Sequence, residues 1–211
     1  MGIVYPFPKP LSTGFQKPMC GFGVDIIFFR IYNDAIMRNN IDRDLSVCLD
    51  EFSLPRYEEI PDVGLYLEQT VKYINSYFKS FPEMELTGSM VSNYVKKGLI
   101  SNAVKKQYHR EQIAQLIFIT VAKIAVSIDG LALMLSVQKS TYETSVAYEY
   151  MRLELINILE YVFGKKEMPE KVGVENTEQK YFLRAAITAV AHKMFVDKYM
   201  AVLLEARRND P

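Results

Sequence analysis

The stretch Ser89-Met-Val-Ser-Asn-Tyr-Val-Lys-Lys-Gly-Leu-Ile100 holds the residue types best able to do chemistry on a large partner. Drawn on a helix, Val91, Tyr94, Val95 and Leu99 fall on one face, and Ser89, Ser92, Asn93, Lys96 and Lys97 on the other. Short hydrogen-bonding side chains near one end can reach base edges, while lysines near the other neutralise phosphates. Between Gly88 and Arg110 there are five cations (Lys96, Lys97, Lys105, Lys106, Arg110) and no acid. Lys105-Lys-Gln-Tyr108 reads as a short wing, and Arg110 opens the next helix, where free backbone N–H groups also favour a phosphate. The expected DNA-contacting set is therefore Ser89, Ser92, Asn93, Lys96, Lys97, Lys105, Lys106, Tyr108 and Arg110. The plainer alternative is a solvated helix face, with lysines placed only to suit the C-terminal end of the helix dipole.

Other chemistry finds little support. His109 and His192 are far apart and form no metal-binding spacing. Gly21-Phe-Gly23 lacks the third glycine of a dinucleotide loop, and Gly164-Lys-Lys166 lacks the preceding glycine of a P-loop. Glu149, Glu154 and Glu160 have no ExxH partner and read as a solvated helix face. Cys20 and Cys48 show no neighbouring base, so a thiol nucleophile is unsupported. The expectation is a protein that is not an enzyme, with no metal and no cofactor.

The chain around this stretch has 211 residues and 25 cations against 25 acids. The segment 88–110 carries +5, so the remainder carries −5 and positive potential is concentrated locally. With 49% hydrophobic and 24% charged residues the composition is globular rather than disordered. Two cysteines are too few for a disulfide scaffold, which points to a reducing cytoplasm. No signal-peptide pattern opens the chain. The most apolar run, Ile113 to Val137, is broken by Lys123 and Asp129, which argues against a membrane span.

The periodicity predicts an all-α protein. Residues 1–18 hold four prolines and read as an extended arm, while Val24–Ile36 fits a short helix or strand equally well. A helix is expected after Pro61, capped by Asp62 and carrying Leu67, Val71, Ile74, Phe78 and Phe81 until Pro82 stops it. A second runs from Thr87 to Lys97 with Gly98 at C′, and residues 99–109 form a loop or tiny hairpin. Helices follow over 113–125 and 128–137. Ser140-Thr-Tyr-Glu143 reads as a capping box opening a long helix that ends at Gly164. After a linker over 164–176, the longest helix spans 177–208. It is apolar on most of its circumference, which predicts burial by a neighbouring helix or in a homodimer through the C-terminal helices. Ten methionines and fourteen tyrosines raise the prospect of an effector pocket in the C-terminal half, with packing as the commoner role. The domains expected are an arm over 1–50, a helix-turn-helix-like domain over 51–138 and a helical region over 139–211.

Two stretches also carry a resemblance. Leu86-Thr with Met90-Val-Ser-Asn-Tyr-Val-Lys-Lys-Gly-Leu-Ile100 and Lys105-Lys-Gln-Tyr-His-Arg-Glu-Gln-Ile-Ala114 resembles the core of a bacterial family called domain of unknown function 1836. Leu54-Pro-Arg-Tyr-Glu-Glu-Ile-Pro-Asp62, then Leu65-Tyr-Leu-Glu-Gln69, is similar to that family's opening motif. The likeness covers about residues 52 to 210. More weakly, the same segment resembles MerR-type winged helix-turn-helix proteins, with Gly98-Leu99, Tyr108 and Glu111 at matching positions. It departs from them in its short wing, in Ser92 where an arginine is usual, and in the long helix expected after Pro61. The resemblance implies a transcriptional regulator bound to double-stranded DNA. The rival expectation is a helical protein-interaction module that has lost DNA contact.

Overall fold

The computed structural model describes Leu45, residues 47–173 and residues 177–209. The expected arm over 1–18 and the apolar run Val24–Ile36 lie outside the described residues. What is described is mostly helical, with one small sheet: β1 (Leu65–Tyr66), α1 (Leu67–Asn75), α2 (Gly88–Lys96), β2 (Gln107–Tyr108), α3 (Arg110–Ala122), α4 (Ile128–Thr141), α5 (Thr144–Val162) and α6 (Glu178–Asn209). The expected helical class holds in its coarse form, with a two-stranded sheet added to it. β1 and β2 pair antiparallel, with Leu65 opposite Tyr108 and Tyr66 opposite Gln107. Gly64 permits the approach, since a Cβ there would lie 2.7 Å from that of Gln107.

α3 is the central element, and its sequence explains why. Ile113, Ala114, Leu116, Ile117, Ile119, Val121 and Ala122 leave it almost no polar face, so neighbours must cover it on all sides. α1, α5 and α6 do so. Phe81 meets Phe52 edge-on with centroids 5.2 Å apart; Phe81 also approaches Phe163, and Phe163 approaches Phe195. This relay ties the segment before β1, the α1–α2 connection, the end of α5 and α6 into one hydrophobic core.

Several helix boundaries differ from expectation: α3 starts and ends three residues earlier than 113–125, and α4 runs on to Thr141. The helix after Pro61 is short, because residues 62–64 stay outside it and the chain pairs as β1 first. The Gln69 side chain accepts from the Tyr66 backbone N–H at 3.0 Å, starting the helix there. It ends at Asn75, whose side chain donates to the Leu86 carbonyl and accepts from the Leu86 N–H, both at 2.9 Å. Phe78 and Phe81 are buried from non-helical turns, so their spacing mimicked a helix. The Ser140 capping box is also overturned. Ser140 and Thr141 hydroxyls donate back to the Val137 carbonyl at 2.9 and 2.7 Å, closing the last turn of α4. α5 starts instead after Glu143.

Glu149, Glu154 and Glu160 do not form a solvated face. Glu149 accepts from the Tyr57 backbone N–H at 2.6 Å and is gripped by Arg152, while Glu160 pairs with Lys166 at 2.7 Å. Glu154 is fully buried, with Arg184 Nε 2.8 Å from Oε1 but not directed along a hydrogen bond. Burial raises its carboxyl above the usual carboxylate range, against the pull of Arg184. Among the described residues no helix is long and apolar enough to cross a membrane.

Candidate nucleic-acid interface

α2 is set by its ends. The Thr87 hydroxyl accepts from the Met90 N–H at 3.3 Å, capping the start. At the other end Gly98 lies at φ +73°, with its N–H donating to the Val95 carbonyl and the Leu99 N–H donating to that of Tyr94. These are the two bonds of a Schellman motif, with Gly98 at C′ as the sequence predicts. Between them Val91, Tyr94 and, just past the helix, Leu99 are buried, while Ser89, Ser92, Asn93, Lys96 and Lys97 are exposed. The inward and outward faces therefore divide as expected. Ser92 spends its hydroxyl proton on the Gly88 carbonyl at 2.9 Å and offers only lone pairs outward.

The connection from α2 to β2 closes in a two-residue turn. Val104 and Gln107 exchange both backbone bonds at 2.9 Å, leaving Lys105 and Lys106 at the tip. Both lysines hold positive φ, +51° and +67°, the type I′ form that Asn-Gly ordinarily fills. Left-handed backbone costs an L-residue about 1–2 kcal/mol. Both lysines are exposed, and among the described residues neither they nor Lys96 and Lys97 make a salt bridge.

Two expected contact residues are turned inward. Tyr108 is buried in the core as part of β2, and burial pushes its phenol up. Arg110 donates from Nε to the Ile60 carbonyl at 2.8 Å, has Asp62 at 4.0 Å and lies 5.9 Å above the Tyr57 ring. It braces the segment before β1. The exposed basic set is therefore four lysines rather than five cations and a tyrosine.

Two positioning residues were not foreseen. Gln112 accepts from the His109 N–H at 3.0 Å, and its amide donates to the Ser101 carbonyl, the Ser101 hydroxyl and the Asn102 carbonyl at 3.0–3.1 Å. One nearly buried side chain thus clamps the loop between α2 and the turn to the first turn of α3. The signal was the glutamine at the third position of α3, a capping-box site. Lys123, at the end of α3, reaches back to the Glu85 carbonyl and lies 3.8 Å from Met90 Sδ; desolvation lowers its ammonium below the usual lysine value. It carries no such local signal. Among the described residues no group of three His, Cys, Asp or Glu is placed to hold a metal ion.

With this geometry in view, residues 55–153 match the model of a family described as Domain of unknown function (DUF1836). The match supports the family read from Leu54–Asp62 and from Met90–Ile100, over a shorter span than the 52–210 expected from the sequence. It runs from the segment docked on α5 through β1, α1, α2, the lysine turn, α3, α4 and half of α5. No curated protein matches the chain. No solved structure matches it either.

Proposed function

We propose that the chain is a DNA-binding protein acting in transcriptional control, with α2 as its recognition helix and the Lys105–Lys106 turn as a short wing. The observation that carries this reading is the outer face of α2. Its hydrogen-bonding residues precede two lysines on a helix anchored by a buried face, and two further unpaired lysines follow in a strained turn. Packing does not require either feature. Ser89, Ser92 and Asn93 would face base edges, and Lys96, Lys97, Lys105 and Lys106 would neutralise phosphates. The order supports a MerR-like winged helix-turn-helix: a strand, a short helix, a second helix ending in Gly-Leu, a tight turn, and a strand ending in Tyr108. The short α1 also removes one departure from that pattern, although the α1–α2 connection stays longer than in it. The reading places the protein in the cytoplasm and assigns it no catalytic role.

The test is a titration of the protein against fluorescent duplex DNA at several salt concentrations. Four phosphate contacts predict a slope of log K against log salt of about −3.6. Replacing Lys96 and Lys97 with Glu should abolish binding while leaving thermal stability nearly unchanged, because exposed lysines contribute little to folding. Folded protein that binds no duplex at low salt refutes the reading.

α6 supports a partner as well. Val196, Met200 and Leu204 are 48%, 49% and 57% exposed and repeat every four residues along it. This stripe fits a homodimer through the C-terminal helices, which would present two recognition helices to paired half-sites. A solution mass near 24.3 kDa would refute the dimer. The same stripe, with Tyr108 buried and Arg110 held against Ile60 and Tyr57, favours a protein-interaction module as the second reading. That reading predicts no salt-dependent DNA binding at all.

A further inference from the structure

A cavity of about 180 Å³ opens between α3, α4 and the first turns of α5 and α6. An apolar cavity of about 150 Å³ is large enough to hold a benzene ring. The apolar walls include Met134, Leu135, Met151, Phe118, Phe182 and Leu183. Several polar side chains on the lining are already occupied: Tyr148 donates to the Pro55 carbonyl, Gln138 to the Tyr142 carbonyl, and the Thr144 hydroxyl to Glu111. Gln115 differs. It is only 5% exposed, lines the cavity, and takes no part in these bonds. Among the described lining residues Lys180 is the one charged group, and there is no carboxylate. Lys180 belongs to the first turn of α6, and Thr144 and Ala147 belong to the first turn of α5. Both helix N-terminal ends add positive potential to the same space.

We infer that this cavity binds a compact apolar carboxylate about the size of one aromatic ring, its apolar body among the methionines and its anion served by Lys180 and the Gln115 amide. The site is independent of the DNA reading and stands or falls on its own measurement. The probe is 3-phenylpropionate, compared with neutral 3-phenylpropanol, and the readout is methyl NMR of the full chain labelled at methionine. The carboxylate should bind with a dissociation constant on the order of 100 µM. It should move the Met134 and Met151 methyl signals and leave Met84 and Met194, buried outside the cavity, in place. Lys180→Gln should weaken the carboxylate about tenfold, the loss of one charge-assisted bond, and leave the alcohol unchanged. Ala147→Leu, which adds volume to the lining, should abolish both shifts in a protein with an otherwise unaltered spectrum. No movement of Met134 and Met151 up to millimolar probe overturns the site. Equal affinity for the acid and the alcohol overturns the assignment of its charge.

Discussion

Lys105 and Lys106 make opposite predictions for stability and for binding. Both occupy left-handed backbone at the tip of the Val104–Gln107 turn. Replacing them as Lys105→Asn with Lys106→Gly installs the pair this turn geometry prefers. Relief of strain is about 1 kcal/mol at each position. Glycine returns about 0.5–1 kcal/mol of that through the greater entropy of the unfolded chain. The net expectation is about 1 kcal/mol of added stability, read as a higher urea midpoint at unchanged slope. The same double variant removes two of four phosphate contacts, so the salt slope of duplex binding should fall from about −3.6 to about −1.8. A companion variant, Lys105→Gln with Lys106→Gln, keeps the strain and removes the charge. It should show the reduced slope without the gain in stability. If the Asn-Gly variant is no more stable, the lysines are not strained. If either variant keeps the parental salt slope, the turn does not touch phosphate and the wing assignment is wrong.

Three further outcomes test the positioning of the interface and the core. Gly98→Ala should lower stability by about 1 kcal/mol from backbone strain alone, since nothing lies within 4 Å of the added Cβ; urea denaturation measures it. Gln112→Ala removes the clamp on residues 101 and 102 and should cost about 2–3 kcal/mol, with faster amide exchange confined first to 101–109. Glu154→Gln tests the buried carboxyl on α5. Its folded pKa lies above the unfolded value, so the native state binds the extra proton and stability falls as pH rises from the ordinary carboxylate range into the raised one. The glutamine variant should therefore be the more stable at pH 7, and the two proteins should converge below about pH 4. Denaturation of both across that range decides, and a variant less stable at pH 7 would show that the Arg184 pair outweighs desolvation.

The legible parts of the chain were those decided by neighbours in sequence. Thr87 and Gly98 mark the ends of α2 because a cap and a left-handed C′ residue act within one turn. The inward and outward faces of α2 follow from the same local periodicity. Most of the misread parts depend on distant partners. Phe78 and Phe81 keep helical spacing, but the Asn75 side chain takes the Leu86 backbone and ends α1 early. Ser140-Thr-Tyr-Glu143 is the local exception: it has the letters of a capping box, yet its hydroxyls bond back to Val137 within the preceding turn. Arg110 counts as a free cation until Ile60, fifty residues earlier, is folded onto it. Glu154 counts as solvated until α6 covers it. Local hydrogen-bond chemistry can be read from one window of sequence, and the destination of a long charged side chain cannot.

The family match bears differently on the two sites. It ends at Leu153, inside α5. α2, the lysine turn and the Gln112 clamp all lie within it, so the elements that frame the proposed DNA face fall inside the matched segment. The cavity is divided. Gln115, Met134 and Met151 belong to the matched segment, whereas Lys180 and Phe182 come from α6, beyond it. The apolar floor and the Gln115 amide thus lie inside the matched segment of this chain, and the cation that would select an anion is supplied from outside it. Lys180→Gln should therefore keep the cavity and lose the preference for 3-phenylpropionate over 3-phenylpropanol. If the preference survives that substitution, the charge selection resides in the domain itself, with the Gln115 amide or the helix ends in place of Lys180.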